Sequence, residues 1–229
     1  MRFSSRVFAL VASAFAVAGP TAAQQVRSDA PVAEIRDNRF KWFFGAQTGA
    51  MIFETQAQTR TGLPAFGAHL SIVSRRGGLI IGVDEAFGNN ESSAFVDSNA
   101  GVTRAVTFDR LRRYGFSLTG YPVRGSLEPY LGVGFGFLQV VSPQVDDVFT
   151  SPADAAASAD DAHEKSATGF MSFLAGVQFR VGRLAAFGQY QISSSPSEGN
   201  LLRGTGHSIM GGLRFSLGST KQEIKGGGY

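Results

Sequence analysis

The chain has 229 residues, 43% hydrophobic and 17% charged, with a formal net charge of +3, a balance that excludes both an intrinsically disordered chain and a helical membrane protein. Its 29 glycines, about 13% of the chain against a usual ~7%, and its 20 phenylalanines favour sheet over helix. There is no cysteine, which removes disulfides, thiolate metal sites and thiol nucleophiles, and three histidines leave little for catalysis.

Arg2 and Arg6 precede the apolar stretch Val7 to Gly19, and the small residues Thr21, Ala22 and Ala23 follow Pro20. This is the layout of a secretory signal peptide over residues 1–23, cleaved before Gln24. Its apolar run is 13 residues long, short of the roughly 17–25 that a spanning helix needs. Removal of the segment leaves 19 basic against 18 acidic residues, so the basic character that could speak for nucleic acid belongs largely to the signal peptide. Residues 24–38 are polar without periodicity and read as a flexible lead-in. No run of 18 apolar residues follows, so membrane residence would require a closed barrel.

Eight alternating segments come next: Phe40–Phe53, Pro64–Ser74, Leu79–Phe87, Val106–Tyr121, Leu127–Val140, Thr168–Val181, Leu184–Ser193 and His207–Leu217. Their connections alternate in length. Arg75–Gly78, Pro122–Ser126 and Gly182–Arg183 are tight, whereas Glu54–Leu63, Gly88–Ala105, Ser142–Ala167 and Ser194–Gly206 are long and polar. Antiparallel strands joined in this way place every long loop at one end, as in an all-β, eight-stranded, antiparallel up-and-down transmembrane β-barrel. The predicted barrel covers residues 39–218 and leaves 219–229 as a polar tail.

Side-chain volume orients the two registers. One carries bulky apolar residues such as Phe173, Val177, Leu213 and Phe215, and the other is rich in Gly, Ser and Gln. An eight-stranded lumen is just filled by side chains, so the bulky register points outward. Aromatic girdles are expected at both rims, from Trp42, Tyr121, Tyr130, Phe179 and Phe215 at one and Phe53, Phe66, Phe87, Phe108 and Phe170 at the other. His69, Asp84, Arg113, Glu128, Arg180 and Arg214 fall inward, where isolated charges are costly, and a network of paired charges is expected. Small substitutions at Ser172 or Gly176 are expected to disturb only local packing.

The segment Glu128-Pro129-Tyr130-Leu131-Gly132-Val133-Gly134-Phe135-Gly136 resembles a strand common in the outer-membrane β-barrel domain family of small porin-fold proteins. Ala175-Gly176-Val177-Gln178-Phe179-Arg180 with Phe187-Gly188-Gln189-Tyr190 resembles that family's next hairpin, and Gly211-Gly212-Leu213-Arg214-Phe215 its closing strand. Gly212, Phe215 and Leu217 also match the last-strand signal read by the barrel assembly machinery. Such barrels usually end on that strand's aromatic residue, whereas this chain continues through Lys221, Glu223 and Lys225 to Tyr229. The resemblance implies an outer-membrane location, surrounding outer-membrane lipids, and the assembly machinery with periplasmic chaperones as partners during biogenesis. It implies no shared activity.

Chemistry-bearing patterns are sparse. His207 and Ser208 invite comparison with outer-membrane lipid A deacylases, but adjacent residues on a strand face opposite sides. Asp146, Asp147, Asp154, Asp160, Asp161, His163 and Glu164 lie in the third long loop without the fixed ligand spacing of a calcium site, and Ala153–Ala162 reads as a mobile solvated stretch. The glycines at 132, 134 and 136 recur at period 2 within a strand, not in a phosphate-binding turn. The expectation is a structural or surface-interaction protein, not an enzyme, with neither cofactor nor metal, whose external loops contact an unidentified extracellular ligand. A soluble periplasmic lipid-binding barrel, a lipid A-modifying enzyme and a narrow pore remain as alternatives.

Overall fold

Period-2 patterning becomes long antiparallel strands in the structure, a computed structural model that describes residues 39–196 and 199–221. The expected signal peptide, the lead-in and residues 222–229 of the tail lie outside the described residues. In chain order come β1 (Arg39–Thr55), β2 (Thr61–Val73), β3 (Gly77–Val96), β4 (Thr103–Gly120), β5 (Leu127–Val141), β6 (Gln144–Val145), α1 (Pro152–Glu164), β7 (Ala167–Val181), β8 (Leu184–Ser193) and β9 (Leu202–Lys221). Each long strand pairs antiparallel with the next, β3 with β4 included, and β9 returns to β1 to close the wall. The two-residue β6 only extends the edge of β4, so the barrel has eight strands, as the sequence predicts.

Closure fixes the stagger. From Thr48, the ladder through Phe66, Glu85 and Arg112 reaches Gln139 on β5, whereas the opposite way round, through Gly211, Gly188 and Val177, it reaches Pro129, ten positions away on the same strand. A stagger of ten over eight strands corresponds to a strand tilt of roughly 41°, so each residue climbs ~2.5 Å along the barrel axis.

The outward register is apolar from Leu127 to Phe137 on β5 and from Val181 to Met171 on β7. The ten steps between these ends, at that rise, make a band about 25 Å tall. Phe135 is 60% exposed and Phe173 66%. The orientation of the two registers therefore agrees with the volume argument.

Three expectations are corrected. Phe53, Phe108, Phe170, Tyr121 and Tyr130 are buried in the lumen and do not belong to the girdles. Strand parity decides this: Phe53 shares the register of Phe43 and Met51, and an irregularity between Phe87 and Glu91 resets the faces of β3 against β4. Second, the Ala-rich stretch is helix α1. Ser151 caps it by accepting a hydrogen bond from the Ala153 N–H at 3.1 Å, Pro152 opens it and Asp154 lies in its first turn. Third, β3 and β4 run on to Val96 and from Thr103, so most of the expected second loop is strand, and the end asymmetry is strand overhang more than loop length.

The seam extends past the expected barrel end. Gly218 adopts φ +125°, a conformation that favours glycine, and lets Leu217 bulge so that Ser219, Thr220 and Lys221 still pair with β1. The first residues assigned to the tail are therefore strand.

Candidate functional site

The predicted lumen residues come together in two polar groups in the half of the lumen nearer the short turns. In the first, Arg113 on β4 donates from Nη2 and Nε to Asp84 Oδ2 on β3 at 2.7 and 3.1 Å. Gln47 donates to the other oxygen of Asp84, and Arg113 also donates to Ser208 Oγ at 2.8 Å. In the second, Glu128 Oε2 accepts from Arg180 at 2.8 Å, Gln178 at 2.6 Å and Arg124 at 3.3 Å.

Arg214 departs from the expected pairing. It is 1% exposed, yet among the described residues no carboxylate lies within ion-pair distance of it. Its guanidinium donates from Nε to His69 Nε2 at 2.8 Å and from Nη1 to Gln178 Oε1 at 2.8 Å, and it lies 4.0 Å from the centre of the Phe187 ring. Because Nε2 of His69 accepts, the imidazole is neutral, and the buried cation is satisfied by neutral acceptors and an aromatic face. Gln178 donates to Glu128 while accepting from Arg214, so an amide links this cation to the Glu128 carboxylate.

Glycines make room for this network. A Cβ at Gly45 would run into His69, one at Gly67 into Asp84, and one at Gly176 into the Tyr130 ring and, at 2.8 Å, the Gly188 carbonyl. Alanine at Gly176 therefore requires the Tyr130 ring or the Gly188 backbone to shift. Its inward position is taken up by a neighbour's aromatic ring.

Sequence reasoning missed the other half of the lumen. Toward the long loops Met51, Phe53, Leu63, Phe95, Phe108, Leu111 and Met210 form one apolar cluster, lidded by Ala162 of α1 and by Leu201. Phe53 and Phe108 approach to 6.3 Å between ring centres. Where this layer meets the polar one, a cavity of about 20 Å³ beside Leu111, Arg113 and Phe170 has room for about one water. The signal was present as inward parity on β1 and β4.

The long-loop end is tied by charge. Arg104 on β4 donates to Asp97 at 2.6 Å and to Asp147, while Asp161 of α1 accepts from Lys165 and from the Ser98 N–H, each at 2.7 Å. The Arg104 hydrogen bond outweighs burial and holds Asp97 down to about 2. Burial pushes Asp161 up, but Lys165 and Ser98 bring it below its ordinary value. Asp147 and Asp161 are thus engaged with cations, while Asp154, Asp160, His163 and Glu164 are exposed on α1.

Because Asp97 titrates lower folded than unfolded, its tie is intact above about 3.8 and is lost as the pH falls toward 2. Pepsin cleavage near Val148, which is 94% exposed, is expected to accelerate between pH 4 and pH 2 more than Asp97→Asn cleavage does. Parallel profiles for the two proteins would count against the tie.

His207 and Ser208 lie on opposite faces of the wall, as adjacent strand residues must: His207 Nδ1 meets the Tyr190 hydroxyl at 2.6 Å, and Ser208 is inside with Arg113. Phe215 and Leu217 point outward, and Gly212 is packed against the Ala46 carbonyl.

No family model and no curated protein matches the chain. Among solved structures, the crystal structure of Neisserial surface protein A (NspA) is similar over 76% of this chain and 96% of that one, at 14% identity and a TM-score of 0.47.

Proposed function

We propose that this protein is an integral outer-membrane barrel, closed to ions, that displays a charged crown at the cell surface and has a structural or surface-interaction role without catalysis. The observation that carries the reading is the outward apolar band, about 25 Å tall, around a lumen already filled by its own side chains. A soluble lipid-binding barrel would instead place its apolar register around an internal cavity. The surrounding partners are outer-membrane lipids. Gly212, Phe215 and Leu217 serve as the element read by the assembly machinery, and the crown is the face available to an extracellular ligand.

Fractionation with a gel comparing boiled and unboiled samples tests the reading. The protein is expected in the outer-membrane fraction, with migration that changes on boiling. Broad-specificity protease added to intact cells should cut near Val148 and spare the Arg75-Arg76 turn. Recovery in the soluble periplasmic fraction, or cleavage at that turn in intact cells, would overturn it.

A further inference from the structure

The outer wall carries a feature that hydrocarbon contact does not require. Rising from the turn end, the outward register of β4 reads Leu118, Phe116, Tyr114, Arg112, Arg110, so apolar side chains give way to one amphipathic ring and then to two guanidinium groups. Glu85 of β3 lies opposite Arg112 in the ladder. Arg112 approaches this carboxylate at 3.1 Å and Arg110 at 3.5 Å, so one anion faces two cations. The neighbouring Asp109 is directed to the Asn90 N–H at 2.8 Å. Arg112 is eight residues above Gly120, and its ladder partner Gln139 is twelve above Leu127. That places the cluster ~20–30 Å above the lower edge of the apolar band, at its loop-end rim.

Further down the same strand the wall is indented. A cleft of about 270 Å³ is lined by Leu79, Phe116, Leu118, Val133, Phe135 and Met171, with Phe116 and Phe135 stacked at 5.5 Å. Arg112 and Phe116 are four residues apart on one strand, or ~13 Å. Cations at the rim, with an apolar cleft at hydrocarbon depth about 13 Å along the strand, match a molecule with an anionic head and an acyl tail. Guanidinium donors suit a phosphate oxyanion.

We infer that Arg110 and Arg112 hold the phosphate of a lipid headgroup in the leaflet on the loop side, with an acyl chain in the Phe116–Phe135 cleft. Glu85 aligns the two guanidinium groups and competes with the phosphate for them. A lipid fits better than a free anion because the cleft offers an inorganic ion nothing. The inference rests on the outer-membrane reading.

The test uses the full mature chain folded in uncharged detergent micelles, with the arginine Nε–Hε and Tyr114 NMR signals followed during titration. The probes are a short-chain phosphatidic acid, inorganic phosphate and an uncharged monoacylglycerol. Phosphatidic acid is expected to give a saturable shift, with inorganic phosphate and the glyceride each at least about tenfold weaker. Arg110→Gln/Arg112→Gln should weaken phosphatidic acid by at least about tenfold, whereas Glu85→Gln should strengthen it. Phe116→Ala should weaken the lipid and leave inorganic phosphate unchanged.

Equal affinity for inorganic phosphate, or unchanged lipid binding in the double arginine variant, would overturn the inference. If the cluster is only structural, Glu85→Gln will not tighten binding, which also rejects it. Recovery of the cellular protein in the soluble fraction would sink the membrane reading separately, whatever the titration shows.

Discussion

Phe173→Arg and Val177→Arg are expected to suppress insertion into lipid vesicles, read as the fraction that keeps its folded mobility without boiling. Both residues point outward in the middle of the apolar band of β7. A lipid-facing arginine near the midplane costs about 2–4 kcal/mol. Ser172→Ala, one position away and inside the lumen, should insert nearly as well as the parent, since its hydroxyl has no hydrogen-bond partner among the described residues. Gly176→Ala should behave unlike Ser172→Ala despite sharing its face, because the added methyl meets the Tyr130 ring. Equal tolerance at 172 and 173 would mean that the wall does not face lipid.

Glu128→Ala is expected to destabilise the barrel without opening it. The substitution strips Arg180, Arg124 and Gln178 of a shared acceptor, and breaking a buried pair from one side costs about 3–5 kcal/mol. The denaturant midpoint should therefore fall well below the parent's. Planar-bilayer recordings of the folded variant should stay silent, because the apolar layer around Met51, Phe53 and Phe108 still lies across the path. Discrete channels from the unaltered protein would reject the closed-lumen reading. Channels from Glu128→Ala alone would show that the charged layer is the seal.

The strands were legible because alternation is a local property. Five or six residues such as Leu131 to Phe135 suffice to show it, and the turn at Gly182-Arg183 is equally local. Positions where the parity of a strand changes are less visible. The irregularity at Phe87/Glu91 and the Gly218 bulge depend on which residue of the partner strand is opposite. The inward turn of Phe53 and Phe108 is hidden for a related reason, since position near a strand end does not report register. Helix α1 is marked by Ser151, Pro152 and Asp154, but its alanine and aspartate content equally suits a solvated chain.

The lumen residues were identifiable one by one, yet their partners were not. Arg214 on β9 reaches His69 on β2 only because β9 closes onto β1, whereas Gln178 on β7 reaches Arg214 across the single intervening strand β8. Asp84 and Arg113, by contrast, are direct ladder partners on neighbouring strands. An antiparallel hairpin brings such a pair together without reference to the rest of the barrel. The sequence therefore showed which charges were inside, and closure alone determined that Arg214 would be answered by an imidazole.

The closing seam sets an order of events. Seven of the eight ladders join strands consecutive around the wall and in the chain, so each can zip from its own connection, while β1 must wait for β9 across the whole of the intervening chain. Until that last strand arrives, β1 and β8 each present a bare row of backbone donors and acceptors, and the entropy of joining distant ends has still to be overcome. A chain cut short before Leu202 should thus remain an open, sticky sheet even though most of its hairpins are complete. The final twenty described residues act as a latch whose late arrival decides whether the earlier pairings persist as a protein or are lost to aggregation and degradation.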